Sequence, residues 1–218
     1  PAHPECLRGL VGSEMCIRDR AHPGRPAVFL RFAGCNLWSG REEHRADAIC
    51  RFCDTEFVGT DGPGGGKFDT AAELAEAVGT AWGGEGSHAI RYVVCTGGEP
   101  LLQLDNSLID ALHKAGFEIG VESNGTLAAP DGIDWLCISP KGAAPVVQSS
   151  GNELKLVYPQ QETAAQPENF IDMAFDQFFL QPLDGPDTKA NTRRAIDYCL
   201  SHPRWKLSVQ THKVLGID

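Results

Sequence analysis

Residues 31–55 read RFAGCNLWSGREEHRADAICRFCDT, and the interpretation of the whole chain depends on this stretch. It starts as the end of an apolar run, residues 27–33, which is typical of a buried strand. It then places Cys35, Cys50 and Cys53 on one loop, with fourteen residues between the first two cysteines and two between the last two. Three thiols that follow a strand indicate a metal centre with one coordination position left open.

The composition of the 218-residue chain is that of an ordinary globular protein with one substantial core. Its net charge of −10 argues against binding to nucleic acid, which requires a basic surface. No apolar run approaches the roughly 20 residues that cross a membrane, and no signal-peptide pattern opens the chain, so we expect a cytoplasmic protein. Three cysteines outside the loop are expected as core residues rather than disulfide partners: Cys95, Cys137 and Cys199.

Strand-like and helix-like segments alternate along the chain. The predicted strands are residues 27–33, 88–95, 117–122, 135–138, 152–158 and 177–180, with a short final strand at 206–210. The predicted helices are residues 70–82, 104–115 and 188–201. This alternation predicts a mostly parallel sheet with right-handed crossovers. About six main strands are too few for a closed eightfold barrel, so we predict an α/β fold of the incomplete TIM-like barrel type.

Polar or glycine-rich motifs follow the predicted strands, at the edge where parallel α/β folds build their sites. Residues 96–100 read TGGEP, in which paired glycines allow a close backbone approach and Glu99 can accept a charge-assisted hydrogen bond. Residues 59–67 lack the spacing of a phosphate loop and are predicted to be a flexible connection. Residues 1–20 show neither a strand period nor a helix period, and no structure is predicted for them.

The cysteine loop, TGGEP and the later SPK, QPLDG and QTHK segments together resemble the 7-carboxy-7-deazaguanine synthase family of radical S-adenosylmethionine (SAM) enzymes. The resemblance covers residues 21–218. It implies a lyase that converts 6-carboxy-5,6,7,8-tetrahydropterin to 7-carboxy-7-deazaguanine with loss of ammonia, in the synthesis of queuosine and other 7-deazapurines. It also implies a homodimer that receives electrons from a donor such as flavodoxin or ferredoxin.

The resemblance assigns cofactors to particular residues. Cys35, Cys50 and Cys53 are implied to hold a 4Fe-4S cluster, whose open iron binds SAM so that an electron can cleave SAM to a 5′-deoxyadenosyl radical. Thr55 matches the family's Mg²⁺ ligand. The implied SAM-binding residues are Phe52, Gly98, Glu99, Glu122, Ser139, Pro140, Lys141, Gln181, Pro182, Leu183 and Asp184. The implied substrate-binding residues are Arg31, Thr96, His212 and Asp218.

Four of these assignments carry a specific chemical role. Phe52 is implied to lie against the SAM adenine and Glu122 to bind the SAM ribose. Glu99 is suited to accept a hydrogen bond from the SAM ammonium group. Arg31 is implied to bind the pterin carboxylate, because a guanidinium fork matches a planar carboxylate better than an ammonium group does.

The chain departs from the family in residues 1–20. The family carries an opening strand and a Gln-x-Glu segment that grips the pterin, and the two matching positions here hold Ile17 and Asp19. We therefore expect a foreign segment, residues 1–20, joined to a radical SAM core domain, residues 21–218, that lacks its first strand. Three alternatives stay open: another radical SAM enzyme such as an activase, a non-catalytic protein with zinc on the cysteines and His44, and an inactive truncated synthase.

Overall fold

The computed structural model describes residues 7–16, 25–62, 64–83 and 90–210, which share a single nine-stranded sheet. The strands are β1 Leu7–Cys16, β2 Arg25–Phe32, β3 Gly65–Phe68, β4 Arg91–Gly97, β5 Phe117–Ser123, β6 Trp135–Ile138, β7 Ser150–Tyr158, β8 Ala174–Pro182 and β9 Trp205–Leu207. The helices are α1 Ala71–Trp82, α2 Asn106–Lys114 and α3 Thr188–Ser201. None of the helices in these ranges combines the length and the apolar character that a bilayer crossing requires.

The strand order is β3-β1-β2-β4-β5-β6-β7-β8-β9. From β2 to β9 each neighbouring pair is parallel, whereas β1 runs antiparallel to both β2 and β3. In the described part of the chain β3 and β9 are the two ends of the sheet, so the sheet stays open. The predicted incomplete barrel of mostly parallel strands is confirmed.

The predicted strand count is too low because it omits β1 and β3. Strand β1 lies in the segment for which no structure is predicted, and β3 lies in the supposed flexible connection. Neither strand has a strong alternation of its own; β1 is held between two partners, with Gly9 opposite both Phe32 and Gly66. The expectation that the chain lacks a first strand is therefore wrong, although the foreign origin of residues 1–20 stays a prediction.

The helices begin and end at recognisable signals. The Thr70 hydroxyl accepts a hydrogen bond from the Glu73 N–H at the start of α1, and the Glu73 carboxylate accepts one from the Asp69 N–H. The Asp105 carboxylate caps α2 in the same way. Gly116 follows α2 with φ at +82°, a conformation that favours glycine. All three predicted helices are confirmed.

The two faces of the sheet differ in character. One face packs against the helices to form the main core, to which β7 contributes the fully buried Leu154 and Leu156. The opposite face carries the alternating residues of the same strands, including Glu153 and Lys155 of β7. Charged and polar side chains on this second face, near the carboxyl ends of the strands, are what the fold offers for a site.

Candidate active site

The cysteine loop between β2 and β3 is built on a small aromatic cluster. Trp38 and Phe57 pack edge to face with ring centroids 5.6 Å apart, and Ala48 completes this buried cluster. Cys35 and Cys53 pack against the same cluster. The first and last cysteines of the loop are therefore held on a common support.

The long insertion between Cys35 and Cys50 is tied down by Arg45. Its guanidinium lies 4.0 Å from the Trp38 ring centroid and forms an ion pair with Glu42 at 2.7 Å. The same guanidinium donates hydrogen bonds to the carbonyl oxygens of Arg51, at 2.9 Å, and Cys53, at 3.2 Å. One side chain thus connects the insertion to the segment that carries the last two cysteines.

The three thiols interact with one another. A hydrogen bond between Cys50 and Cys53 raises the pKa of Cys50, with burial acting in the same direction, and lowers the pKa of Cys53. Burial raises the pKa of Cys35, and the charges of Glu99 and Cys53 add to this effect. The arrangement stabilises one thiolate readily, whereas deprotonation of all three thiols requires a positive charge among them, such as a metal centre supplies.

These thiols fit an iron–sulfur cluster, in which separate iron atoms take separate cysteines. His44, the fourth ligand in the zinc alternative, is exposed and shares a hydrogen bond with the Ser39 hydroxyl at 2.9 Å. In the described ranges, no three histidine, cysteine, aspartate or glutamate side chains form a group that could hold a single metal ion. The donor set therefore matches the cluster better than a single zinc ion.

The thiol hydrogen bond predicts an order of reactivity in the protein without its cluster. Because thiolate is the nucleophile, iodoacetamide is expected to modify Cys53 before Cys50 at pH 7. The rate of Cys53 modification should already increase with pH below 9.0, the ordinary pKa of a thiol. Peptide mapping by mass spectrometry measures this order. Cys50→Ala removes the hydrogen bond and should shift the Cys53 profile to higher pH. Equal modification of Cys50 and Cys53 at pH 7 would contradict the prediction.

The TGGEP turn after β4 lies directly against the start of the cysteine loop. The Glu99 N–H donates to the Gly34 carbonyl oxygen at 2.9 Å, and the Gly98 N–H donates to the Phe32 carbonyl oxygen at 2.9 Å. A Cβ atom on Gly98 would overlap the Gly34 carbonyl oxygen. The second glycine of the motif is thus required for the contact between this turn and the residue next to Cys35.

The Glu99 carboxylate is fully buried and accepts hydrogen bonds from the protein on both oxygens. The donors are the Leu101 N–H at 3.0 Å, the Ser123 hydroxyl at 2.8 Å and the Asn124 N–H at 2.7 Å. Burial nevertheless raises the pKa of Glu99. The carboxylate joins the turns after β4 and β5, which the sequence did not predict, while its contact with the SAM ammonium group stays a prediction.

A side-chain bridge connects the cysteine loop to the turn after β5. Asn36 donates to the Thr126 hydroxyl at 2.7 Å, and Asn124 donates to the Asn36 side-chain oxygen at 2.9 Å. Asn36 directly follows Cys35. The first cysteine is consequently positioned from β4, through Glu99 and Gly34, and also from β5.

The SPK segment after β6 approaches the cysteine loop from the other side. A Cβ atom on Gly142 would lie 2.9 Å from the Ile49 carbonyl oxygen, next to Cys50. The Lys141 ammonium donates to the Ser139 hydroxyl and carbonyl oxygen. Burial lowers the pKa of Lys141, and the charge of Cys50 opposes that shift. The structure therefore brings a cation towards the thiols.

Buried Gln160 holds the SPK segment in place. Its side-chain oxygen accepts from the Gly142 N–H at 2.8 Å. Its amide group donates to the carbonyl oxygens of Val157, at 3.1 Å, and Pro140, at 3.4 Å. The turns after β6 and β7 are thereby joined.

Two further pairs of residues lie on the sheet face that points away from the helices. Arg31 and Thr96 are register partners on β2 and β4, and their contact with the substrate stays a prediction. The Lys155 ammonium donates to the Glu122 carboxylate at 3.2 Å, from β7 to β5 across β6. Glu122 therefore has a cationic partner that sequence reasoning missed.

The remaining predicted residues are less tightly grouped. Phe52 and Thr55 lie on the cysteine loop and are half-buried. The segment 181–184 ends β8, where the Asp184 carboxylate accepts from the Thr188 hydroxyl at the start of α3. His212 and Asp218 lie outside the described residues. Their predicted contacts with the substrate stay predictions.

Sequence reasoning missed several residues that support the site. Only the Ser-Asn-Gly sequence after a predicted strand gave a signal, because such turns favour side-chain hydrogen bonds to the backbone. The missed residues are Asn36, Arg45, Ser123, Asn124, Thr126, Lys155 and Gln160.

An open, mostly parallel sheet with a three-cysteine loop after one strand, and a glycine–glutamate turn packed on that loop, defines an α/β protein of the radical SAM type. Its fold is similar to that of QueE from Escherichia coli, with a TM-score of 0.68 over 95% of this chain and 94% of that one, at 23% identity. No protein-family model matches the chain.

Curated relatives match along nearly the full length of the chain. It is 64% identical to the 7-carboxy-7-deazaguanine synthase of Bradyrhizobium diazoefficiens, over 91% of this chain and 93% of that protein. It is 63% identical to the synthase of Caulobacter vibrioides, over 89% and 90% of the two chains, and 61% identical to that of Bordetella pertussis, over 91% and 93%. The chain belongs to the 7-carboxy-7-deazaguanine synthase family.

Proposed function

We propose that this chain is a radical SAM lyase that converts 6-carboxy-5,6,7,8-tetrahydropterin to 7-carboxy-7-deazaguanine with release of ammonia. The observation that carries the proposal is 64% identity with a 7-carboxy-7-deazaguanine synthase across 93% of that protein. The geometry is in keeping with it, because the three thiols share one loop and the turns after β4, β5 and β6 converge on that loop.

Cys35, Cys50 and Cys53 are the proposed ligands of a 4Fe-4S cluster. Bound there together, the cluster and SAM supply the radical that abstracts hydrogen from the substrate. The protein positions and shields the reacting groups, while the cofactors carry the difficult chemistry. Asn36 and Glu99 fix the approach of the turns to Cys35, and Lys141 provides a cation close to Cys50.

The proposed SAM pocket runs along the carboxyl ends of β4 to β8. Gly98 allows the backbone of the TGGEP turn to lie close to the loop, and Phe52 offers an aromatic ring for the adenine. Glu122 offers a carboxylate, which can accept from ribose hydroxyl groups. The remaining proposed contacts are Glu99, Ser139, Pro140, Lys141, Gln181, Pro182, Leu183 and Asp184.

The substrate is proposed to lie on the sheet face that carries Arg31 and Thr96. A guanidinium and a neighbouring hydroxyl on adjacent strands suit the carboxylate of the pterin. Thr55 is the proposed Mg²⁺ ligand, since this ion keeps much of its hydration shell and needs few protein ligands. His212 and Asp218 complete the proposed substrate contacts.

We further propose a cytoplasmic homodimer that receives electrons from a flavodoxin or ferredoxin. Six cysteines of the described residues carry free thiols, in keeping with a reducing compartment: Cys35, Cys50, Cys53, Cys95, Cys137 and Cys199. A one-electron donor is proposed because a cluster held by the three cysteines would have to take up an electron to act on SAM. Residues 1–20 are proposed to be a segment of foreign origin joined to the radical SAM core domain, residues 21–218, and this segment contributes β1 to the sheet of that domain.

The test is an anaerobic assay of the reconstituted protein with SAM, dithionite, Mg²⁺ and the carboxylated pterin, followed by mass spectrometry for 7-carboxy-7-deazaguanine. The wild-type protein is expected to form product, and Cys53→Ser is expected to form none. Cys199→Ser, which removes a thiol from α3, is the matched control and should retain activity. Absence of product from a protein that carries its cluster and binds SAM would contradict the proposed reaction.

A further inference from the structure

Lys155 places a positive charge on the buried part of the sheet face that points away from the helices, two residues along β7 from the fully buried Glu153. It lies on β7 between Leu154 and Leu156, which are fully buried on the helix side, and its own side chain is only 10% exposed on the opposite face. Removing an ammonium group from water costs on the order of several kcal/mol unless an opposite charge and hydrogen bonds compensate. A core lysine at this position therefore calls for an explanation.

The partner of this charge is Glu122. The Lys155 ammonium donates to the Glu122 carboxylate at 3.2 Å, and the glutamate side chain is 21% exposed. Glu122 is the register partner of Cys137 on β6. Cys137 is in turn the register partner of Glu153 on β7, which lies two residues before Lys155. The ion pair thus crosses β6 and joins two strands whose backbones are fixed by the sheet. The Glu122 carboxylate is therefore held by a side chain from a second strand.

A second lysine, Lys141, has different hydrogen-bond partners from those of Lys155. The Lys141 ammonium donates to Ser139 and faces the cysteine loop, as described above. Lys155 instead donates to a carboxylate at the end of β5. Burial lowers the pKa of Lys141, and the charge of Lys155 adds to this shift. The two ammonium groups have different hydrogen-bond partners.

We propose that Lys155 is a positioning residue for SAM: its ammonium group orients the Glu122 carboxylate to accept hydrogen bonds from the ribose hydroxyls. The inference rests on the proposed function, because SAM is the ligand that supplies the ribose. Lys155 contacts Glu122 and acts through it. A lysine that only stabilises the sheet would affect all ligands of the pocket alike, whereas a positioning lysine affects the recognition of ribose hydroxyls selectively.

The experiment compares two probes, S-adenosylhomocysteine and its 2′,3′-dideoxy analogue, by anaerobic calorimetry on the protein with its cluster. The wild-type protein is expected to prefer the probe with hydroxyl groups by about tenfold or more, since hydrogen bonds to a charged acceptor are lost in the analogue. Lys155→Met should reduce this preference to within about twofold, mainly by weakening the binding of S-adenosylhomocysteine. Lys155→Gln, measured in parallel, keeps a donor without the charge and should give an intermediate preference.

The matched control is Lys206→Met, which removes an exposed lysine from β9 and should leave the preference unchanged. A preference retained in both Lys155 variants, or an equal loss of affinity for both probes, would overturn the positioning role and leave the proposed function standing. A wild-type protein that binds S-adenosylhomocysteine without ribose discrimination would overturn it as well. A wild-type protein with an intact cluster that binds neither probe would overturn the proposed function together with this inference.

Discussion

Replacing Glu99 with alanine is expected to lower the free energy of unfolding by about 3–5 kcal/mol. The fully buried carboxylate accepts from the Leu101 N–H, the Ser123 hydroxyl and the Asn124 N–H, and alanine leaves these donors without that acceptor. Burial disfavours the charged carboxylate and raises the pKa of Glu99. Alanine removes this unfavourable burial of charge, which offsets part of the loss. Urea denaturation of the cluster-free protein, followed by circular dichroism, measures the effect.

Asp105→Ala is the matched control for this prediction. Asp105 is also a carboxylate that accepts from a backbone N–H, that of Leu108 at 2.9 Å, but it is exposed and caps a single helix. Its loss is expected to cost about 1 kcal/mol, the usual value for a helix cap. If Glu99→Ala cost no more than Asp105→Ala, the carboxylate would not join the turns after β4 and β5 in the way described.

Replacing Gly98 with alanine is expected to prevent cluster binding. Steric overlap should also lower the free energy of unfolding by on the order of several kcal/mol. The added methyl group would overlap the Gly34 carbonyl oxygen, which belongs to the backbone and cannot move as a side-chain end would. The TGGEP turn and the cysteine loop must then separate, and Cys35 loses its fixed position. Iron and sulfide content after anaerobic reconstitution, together with a urea curve, measure both effects.

Gly79→Ala in α1 is the control, because a Cβ atom there meets nothing within 4 Å. Alanine in a helix interior stabilises by about 0.5–1 kcal/mol relative to glycine, so this variant should be slightly more stable and should bind its cluster normally. Normal cluster content in Gly98→Ala would show that the turn and the loop do not need their close contact.

The parts of the fold that were predicted from the sequence are those with a regular apolar pattern of their own. Strand β6 and helix α3 have the predicted bounds, because each is a short run whose period and flanking turn residues agree. The sequence does not predict strands β1 and β3, because they depend on pairing with neighbouring strands and not on an alternating pattern of their own. Gly9, for example, is fixed between Phe32 and Gly66 and has no side chain to give a pattern.

The site was predicted at the level of motifs but not at the level of contacts. The cysteine spacing and the TGGEP motif indicate which segments converge, since carboxyl ends of parallel strands share one edge. The bridge from Asn36 to Asn124 joins residues 88 positions apart, and no local pattern identifies such a pair. The same holds for Lys155, which reads in sequence as an ordinary strand lysine and in the structure is a buried partner of Glu122.

The most direct measurement is electron paramagnetic resonance of the anaerobically reconstituted and reduced protein, recorded before and after addition of SAM. We expect the signal of a reduced 4Fe-4S cluster whose shape changes when SAM is added, and we expect no such signal from Cys53→Ser. A wild-type spectrum that shows no iron–sulfur centre, or one that SAM leaves unchanged, would contradict the central claim that three cysteines hold a cluster with an iron open to SAM.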